Sequence, residues 1–383
     1  MLRVSVKPDL LRWAIERSGK GDEELKKKFP KLQEWLEEKR EPTIRQLESF
    51  ARATHTALGY FFLPEPPVET LPIPDFRMIA GAQPEKPSAE LLDTIYLCQQ
   101  RQAWYSDYAR LYHEEPVDFV GSVNLGDEVQ KVAAAIRRRI GFDLEARARM
   151  RTWEEALRQL IALIEQTGVL VMISGVVGSN THRALDPEEF RGFALADEYA
   201  PLIFVNGKDS KAAQMFTLVH ELAHLWLGES GVSDAMAAVY PDQDTERWCN
   251  AVAAEVLAPL HAVREAYEPA RNLQESLQCL ARRFKVSTLV VLRRLHDAGF
   301  MEKEEMWRAY QEELERLKEM SRRQGGGGDF YNTMGARVSK RFASALIAST
   351  LEGQTTFTEA FRLLSIRSAR TFFEEARRLG VEP

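Results

Sequence analysis

The stretch QMFTLVHELAHLWLG, residues 214–228, constrains the fold more than any other part of this 383-residue chain. It is almost wholly apolar, yet it carries His220, Glu221 and His224. Its length and flanks predict a helix, with Ser210 placed to cap the start and Gly228 to stop the end. A helix apolar on nearly every side belongs in a core. Two imidazoles and a carboxylate buried there without a task carry a desolvation cost. Core histidines satisfied by hydrogen bonds are the bland alternative. With 7 histidines and 57 acidic residues in the chain, chance supplies this pattern only about 0.02 times per chain of this length.

H-E-x-x-H has a direct chemical meaning. Residues i and i+4 share a helix face, so His220 and His224 can grip one metal ion. Glu221, beside them, reaches a metal-bound water as its general base. Zinc suits this task because it lowers the pKa of such a water toward ~7. A catalytic zinc also needs a third protein ligand and an open position.

DTERWCNAVAAEVLAP, residues 244–259, predicts the helix that supplies the third ligand, with Asp244 at its start and Pro259 at its end. Glu246, Asn250, Ala253 and Leu257 fall on one face, and the small residues around them permit close approach. Glu246 is the candidate ligand. Cys249 is the second choice, about 60° off that line, and Glu255 the third, about half a rotation away. Asn250 is assigned a supporting hydrogen bond to a ligand. The plain alternative for Glu246 is an exposed first-turn glutamate favoured by the helix dipole.

The segments before this pair predict an α+β, mostly helical chain. Residues 8–62 form a string of short helices, the first opening at Pro8. Five prolines between Pro64 and Pro74 exclude helix interior and central strand. Helices follow at 88–115, 125–141 and 152–168. VLVMISGVVG, FRGFALAD and APLIFVNG then predict three strands leading into the H-E-x-x-H helix. Beyond Pro259 the chain is helical again. The boundaries drawn are 1–62, a Pro-rich linker at 63–78, the domain of the H-E-x-x-H helix at 79–265, further helices at 266–324, a Gly linker at 325–329 and a helical module at 330–383.

Composition narrows the partners. A net charge of −6 speaks against nucleic-acid binding by the whole surface. Three widely spaced cysteines, Cys98, Cys249 and Cys279, form no framework and indicate a reducing compartment. The N-terminus shows no apolar signal segment, and no run approaches the ~18–20 apolar residues of a membrane span. The expectation is a cytoplasmic protein with no membrane partner.

The H-E-x-x-H motif, the 22-residue spacing from His224 to Glu246, and ERWCNAVAAEVLAP together resemble the ImmA/IrrE-type metallopeptidases over roughly residues 160–300. Cys249 stands where alanine is commoner in that family. The resemblance implies a gluzincin-like zinc endopeptidase with His220, His224 and Glu246 as ligands and Glu221 as base. It further implies cleavage of a helix-turn-helix repressor in a stress-response, mobile-element or toxin–antitoxin circuit. Residues 1–62 resemble the repressor-like helix-turn-helix module fused to longer members, with WLEEKREPT as its end.

Three finer expectations follow. The substrate adds as a strand beside FRGFALAD or APLIFVNG, and His182, Arg183 or Tyr240 stabilises the oxyanion. DNA binding has three candidate segments. Residues 1–60 carry 13 Lys/Arg against 10 Asp/Glu, but only ten steps separate Leu25 from Trp35, about four fewer than in the repressors this module resembles. RRFKVSTLVVLRRLHDAG, residues 282–299, has helix-turn-helix spacing and is richer in basic residues, as is the tail at 366–378. The competing function is therefore a DNA-binding regulator whose metal site is structural or vestigial.

Overall fold

The computed structural model describes residues 2–77, 86–233, 244–323 and 337–381. Tyr240 and the Gly linker at 325–329 lie outside the described residues. Contacts divide the chain into two units, Met1–Pro72 with Pro84–Ile95, and Ile73–Gln83 with Tyr96–Pro383. The division cuts through the Pro-rich segment and assigns 84–95 to the first unit, where composition places them in the peptidase domain.

In the first unit, helices α1 (Pro8–Arg17), α2 (Asp22–Lys28), α3 (Leu32–Leu36) and α4 (Ile44–Ala53) precede a 3-10 turn at Leu58–Phe62. Pro8 opens α1, and Thr43 with Gln46 closes a capping box on α4. Leu10, Leu11, Leu25, Trp35, Leu47 and Phe50 fill the core, and Trp35 meets Phe50 edge-on at 6.2 Å. α3 is only five residues long. It spends Leu32 and Trp35 on the core, leaving Gln33 and Glu37 exposed.

The second unit is built on a four-stranded mixed sheet of order β1-β3-β2-β4. The strands are β1 (Leu170–Ser174), β2 (Gly192–Leu195), β3 (Leu202–Asn206) and β4 (Gly231–Ser233). β1 runs parallel to β3, while β2 is antiparallel to both β3 and β4. All four are buried along their length, which explains their continuous apolar runs. β4 is a strand the sequence reading does not find, and it changes the substrate expectation. FRGFALAD and APLIFVNG form interior strands, so neither offers a free edge. The outer side of β4 is taken by the chain itself, through an isolated parallel bridge between Asp75 and Val232.

This unit's first helices are the Tyr96–Leu111 part of α5 (Ala89–Leu111), α6 (Val129–Ile140), α7 (Leu144–Arg149), α8 (Trp153–Gln166), α9 (Lys211–Leu227) and α10 (Asp244–Leu257). α9 packs against β2, β3, α8 and α10, and α10 packs against α6. The C-terminal end of α9 is closed from outside. Gly121 and Val123 donate their amides to the Leu225 and Trp226 carbonyls at 3.1 and 3.2 Å, and Phe119 stacks on Trp226. A Cβ on Gly228 would lie 2.9 Å from the Gly121 Cα, so the two backbones meet where only glycine fits.

α11 (Leu260–Ala266), α12 (Leu273–Phe284), α13 (Thr288–Asp297) and α14 (Lys303–Arg323) follow. The α12–α13 pair has the predicted turn, with Lys285 left-handed and Ser287 capping α13. Its basic residues are largely committed to the protein. Arg294 is buried, paired with Glu255 and donating to the Ala258 carbonyl at 2.8 Å. Lys285 is buried and donates to the Arg282 carbonyl, and Arg293 pairs with Asp297. Buried Arg147 donates to the Phe284 and Lys285 carbonyls and so holds the turn. This segment completes the core. Helices at Lys340–Leu351, Phe357–Leu364 and Ala369–Leu379 end the chain, each with a Ser or Thr cap. Among the described residues, no helix is long and apolar enough to cross a membrane.

Candidate metal centre

α9 starts and stops where its sequence predicts. The Ser210 side chain accepts from the Ala213 amide, and Gly228 takes the left-handed conformation at φ +75°. Every residue from Gln214 to Trp226 is buried. The helix therefore sits as a rod inside the unit, and the i, i+4 spacing turns His220 and His224 to one side.

α10 presents Glu246 to that side. Glu246 Oε1 lies 2.9 Å from His224 Nε2, and Oε2 lies 3.3 Å from His220 Nε2. The two Nε2 atoms are 3.2 Å apart. One ligand atom from each residue falls within a 4.8 Å cluster, and all three residues are buried. Cys249 is also buried but is not part of that cluster. Glu255 faces elsewhere and is occupied by Arg294. Asp244, expected as the cap of α10, is its first helical residue and pairs with Arg247.

Burial and mutual charge set the protonation. Burial works to raise the Glu246 carboxyl, but His220 and His224 outweigh it and hold the group at about 2. Burial pushes Glu221 up to about 8, with His220 opposing and the Glu246 anion adding to the rise. His220 is raised because Glu246 and Glu221 outweigh its burial, helped by Asn250. His224 is lowered, chiefly by burial. Burial drives the Cys249 thiol well above its ordinary range, so it offers no ready thiolate.

The donor set fits a metal ion. One ligand atom from each of His220, His224 and Glu246 lies within 4.8 Å of the others. Two imidazole nitrogens and a carboxylate oxygen are the ligand types of a three-residue zinc site. The Nδ1 atoms of both histidines, Asn250 Oδ1 and Glu221 Oε1 are buried without a hydrogen-bond partner. The Glu221 oxygen is thus a spare acceptor beside the cluster.

Sequence reasoning misses three neighbours. Ser233 Oγ lies 3.5 Å from Glu221 Oε2 and 3.4 Å from His224 Nε2; its strand is too short to announce itself. Gly192, on β2, lets the sheet approach α9. A Cβ there would meet Thr217 Cγ2 at 2.6 Å, the Phe204 carbonyl oxygen at 2.8 Å and Glu221 Oε1 at 2.9 Å. Phe76, from the Pro-rich segment, stacks on the His224 ring at 5.4 Å with the planes 8° apart. The oxyanion candidates gain nothing. His182 is exposed, Arg183 is buried, and Tyr240 lies outside the described residues.

Residues 164–296 match the family model Peptidase_M78, the IrrE N-terminal-like domain. The matched stretch contains the sheet, α9 and α10, and it supports an ImmA/IrrE-type, metallopeptidase-like domain. Residues 338–378 match a domain family of unknown function, DUF8813. No curated protein matches the chain.

Proposed function

We propose that the metallopeptidase-like domain is a zinc-dependent endopeptidase acting on a specific partner protein. The observation that carries this reading is the convergence of His220, His224 and Glu246 within 4.8 Å, with the unpartnered Glu221 Oε1 beside them. His220, His224 and Glu246 hold the ion, and Asn250 supports His220. Zinc held there supplies a Lewis acid to a water and to the scissile carbonyl. Glu221 takes a proton from the attacking water at Oε1 and returns it to the leaving amide nitrogen. Ser233 keeps the other carboxyl oxygen in place through its hydroxyl. Burial of the whole group excludes bulk water and strengthens each of these interactions.

The partner we favour is a helix-turn-helix repressor, and the first unit is the part that docks it. The support is the likeness of residues 1–62 to repressor modules. The test is co-expression of the full chain with the repressor encoded beside it, following repressor length on a gel. Cleavage by the native chain and none by Glu221→Gln, with metal retained in both, is the outcome expected. Equal cleavage by Glu221→Gln would retire the assignment.

A further inference from the structure

Residues 73–77, Ile-Pro-Asp-Phe-Arg, meet the outer side of β4 through a parallel bridge between Asp75 and Val232. The Phe76 amide donates to the Val232 carbonyl at 2.9 Å, and the Val232 amide donates to the Pro74 carbonyl at 3.0 Å. These two bonds are what a peptide strand makes when it joins a sheet edge. The Phe76 ring enters a slot left by Gly231, where a Cβ would fall 2.2 Å from Phe76 Cε2. From there it stacks on His224, one of the three clustered residues. Arg77 clasps the segment. It binds Asp75 through two bonds of 2.8 Å and reaches the Glu189 carbonyl at 3.4 Å.

The attachment is that of a removable strand. Among the described residues, two backbone hydrogen bonds tie it to β4, and Pro72 and Pro74 cannot add amide donors. Phe76 is half-buried, whereas the core aromatics Phe190 and Phe193 are fully buried. A segment held this lightly opens at a fraction of the global stability. The edge it covers lies beside the His–Glu cluster, while β2 and β3 have both edges paired.

We propose that residues 73–77 are a built-in occupant of the substrate strand position, and that this position is the outer edge of β4. The occupant also shows what the edge accepts: an extended peptide with an aromatic side chain that slots over Gly231 against His224. A partner segment of that chemistry enters by displacing the chain's own strand, which competes at the high effective concentration of a tethered ligand. As an account of substrate entry this rests on the peptidase reading, but the strand exchange itself needs no catalysis.

The test uses a fluorescent peptide of residues 69–77, ETLPIPDFR, and the full-length, metal-free protein, with binding read by anisotropy. The native chain binds weakly because its own strand holds the edge. Phe76→Ala loses that anchor and binds the peptide at least tenfold more tightly. A peptide carrying alanine in place of phenylalanine binds neither protein. Arg77→Ala, which releases the clasp without touching the slot, shifts affinity in the same direction and serves if Phe76→Ala does not fold. Hydrogen exchange at the Phe76 and Val232 amides speeds up in Gly231→Ala, whose methyl takes the ring's place. Equal peptide affinity for the native and variant chains, or equal binding of the alanine peptide, overturns the proposal. Neither result bears on the peptidase reading, which stands or falls on metal content and cleavage. A chain that exchanges strands yet holds no metal retires the peptidase and leaves a peptide-binding edge.

Discussion

Glu221→Gln in the metal-free protein isolates the cost of holding that carboxyl in the core. Its pKa is raised from 4.5 to about 8, first by burial. Because the folded value lies above the unfolded one, the folded chain binds the extra proton and stability falls as pH rises. The penalty is absent below the unfolded pKa, grows from there upward, and is complete above about pH 8. At about 1.4 kcal/mol per pH unit, it is under ~1 kcal/mol at pH 5, about 3 at pH 7 and about 4 at pH 8. Glutamine keeps the shape and carries no proton to lose. Urea denaturation in chelator should therefore find the variant about 3 kcal/mol more stable than native at pH 7, and nearly equal to it at pH 5. A cation on His220, His224 and Glu246 favours the ionised carboxyl, so added zinc should shrink the difference. A stability difference that does not change between pH 5 and pH 8 would show that the burial argument is wrong.

Four further outcomes follow from the same geometry. Metal analysis of dialysed protein should find one equivalent per chain in the native form and in Cys249→Ala, with His220→Ala and Glu246→Gln binding at least about tenfold more weakly. Glu255→Ala leaves buried Arg294 with Asp297 at 3.3 Å as its remaining anion; it should cost up to about 3–5 kcal/mol in denaturant titration while metal content stays unchanged. Gly192→Ala forces a methyl against Glu221 Oε1 and the Phe204 carbonyl. It should cost about 1–3 kcal/mol and slow cleavage, again with metal retained. Iodoacetamide under native conditions should label exposed Cys279 and spare buried Cys98 and Cys249; mass spectrometry distinguishes the three.

The parts of the site visible in the sequence are those set by local periodicity. α9 declares itself through its apolar run, its serine cap and its glycine stop. The i, i+4 rule then places His220 and His224 on one side without any tertiary information. Glu246 is a harder inference, because three acceptable ligands lie on α10 within ten residues. Helical phase favours Glu246; of the three, Glu246 lies in the His–Glu cluster, while Glu255 pairs with Arg294 and Cys249 lies outside the cluster. What sequence does not reveal depends on pairing at long range. β4 is three residues long, and only its partners β2 and Asp75 make it a strand. Ser233 and Phe76 reach the site through that strand, so both are missed with it. Sequence likewise does not show that, among the basic residues of 282–299, Arg294 is buried against Glu255 and the Ala258 carbonyl and Lys285 against the Arg282 carbonyl.

The closure of α9 by Gly121 and Val123 bears on how this protein can be divided. The family match begins at residue 164, yet the carbonyls of Leu225 and Trp226 are satisfied by amides more than forty positions upstream of that limit. A fragment cut at the match would strand the Trp226 carbonyl in a buried setting, at about 1–3 kcal/mol, and would leave the Leu225 carbonyl with the Gly228 amide alone. It would also remove α6 from the back of α10 and the stacking partner of Trp226. The smallest piece that can keep the C-terminal end of α9 closed therefore starts before Val117, whose own amide is held by the Glu198 carbonyl at 2.7 Å.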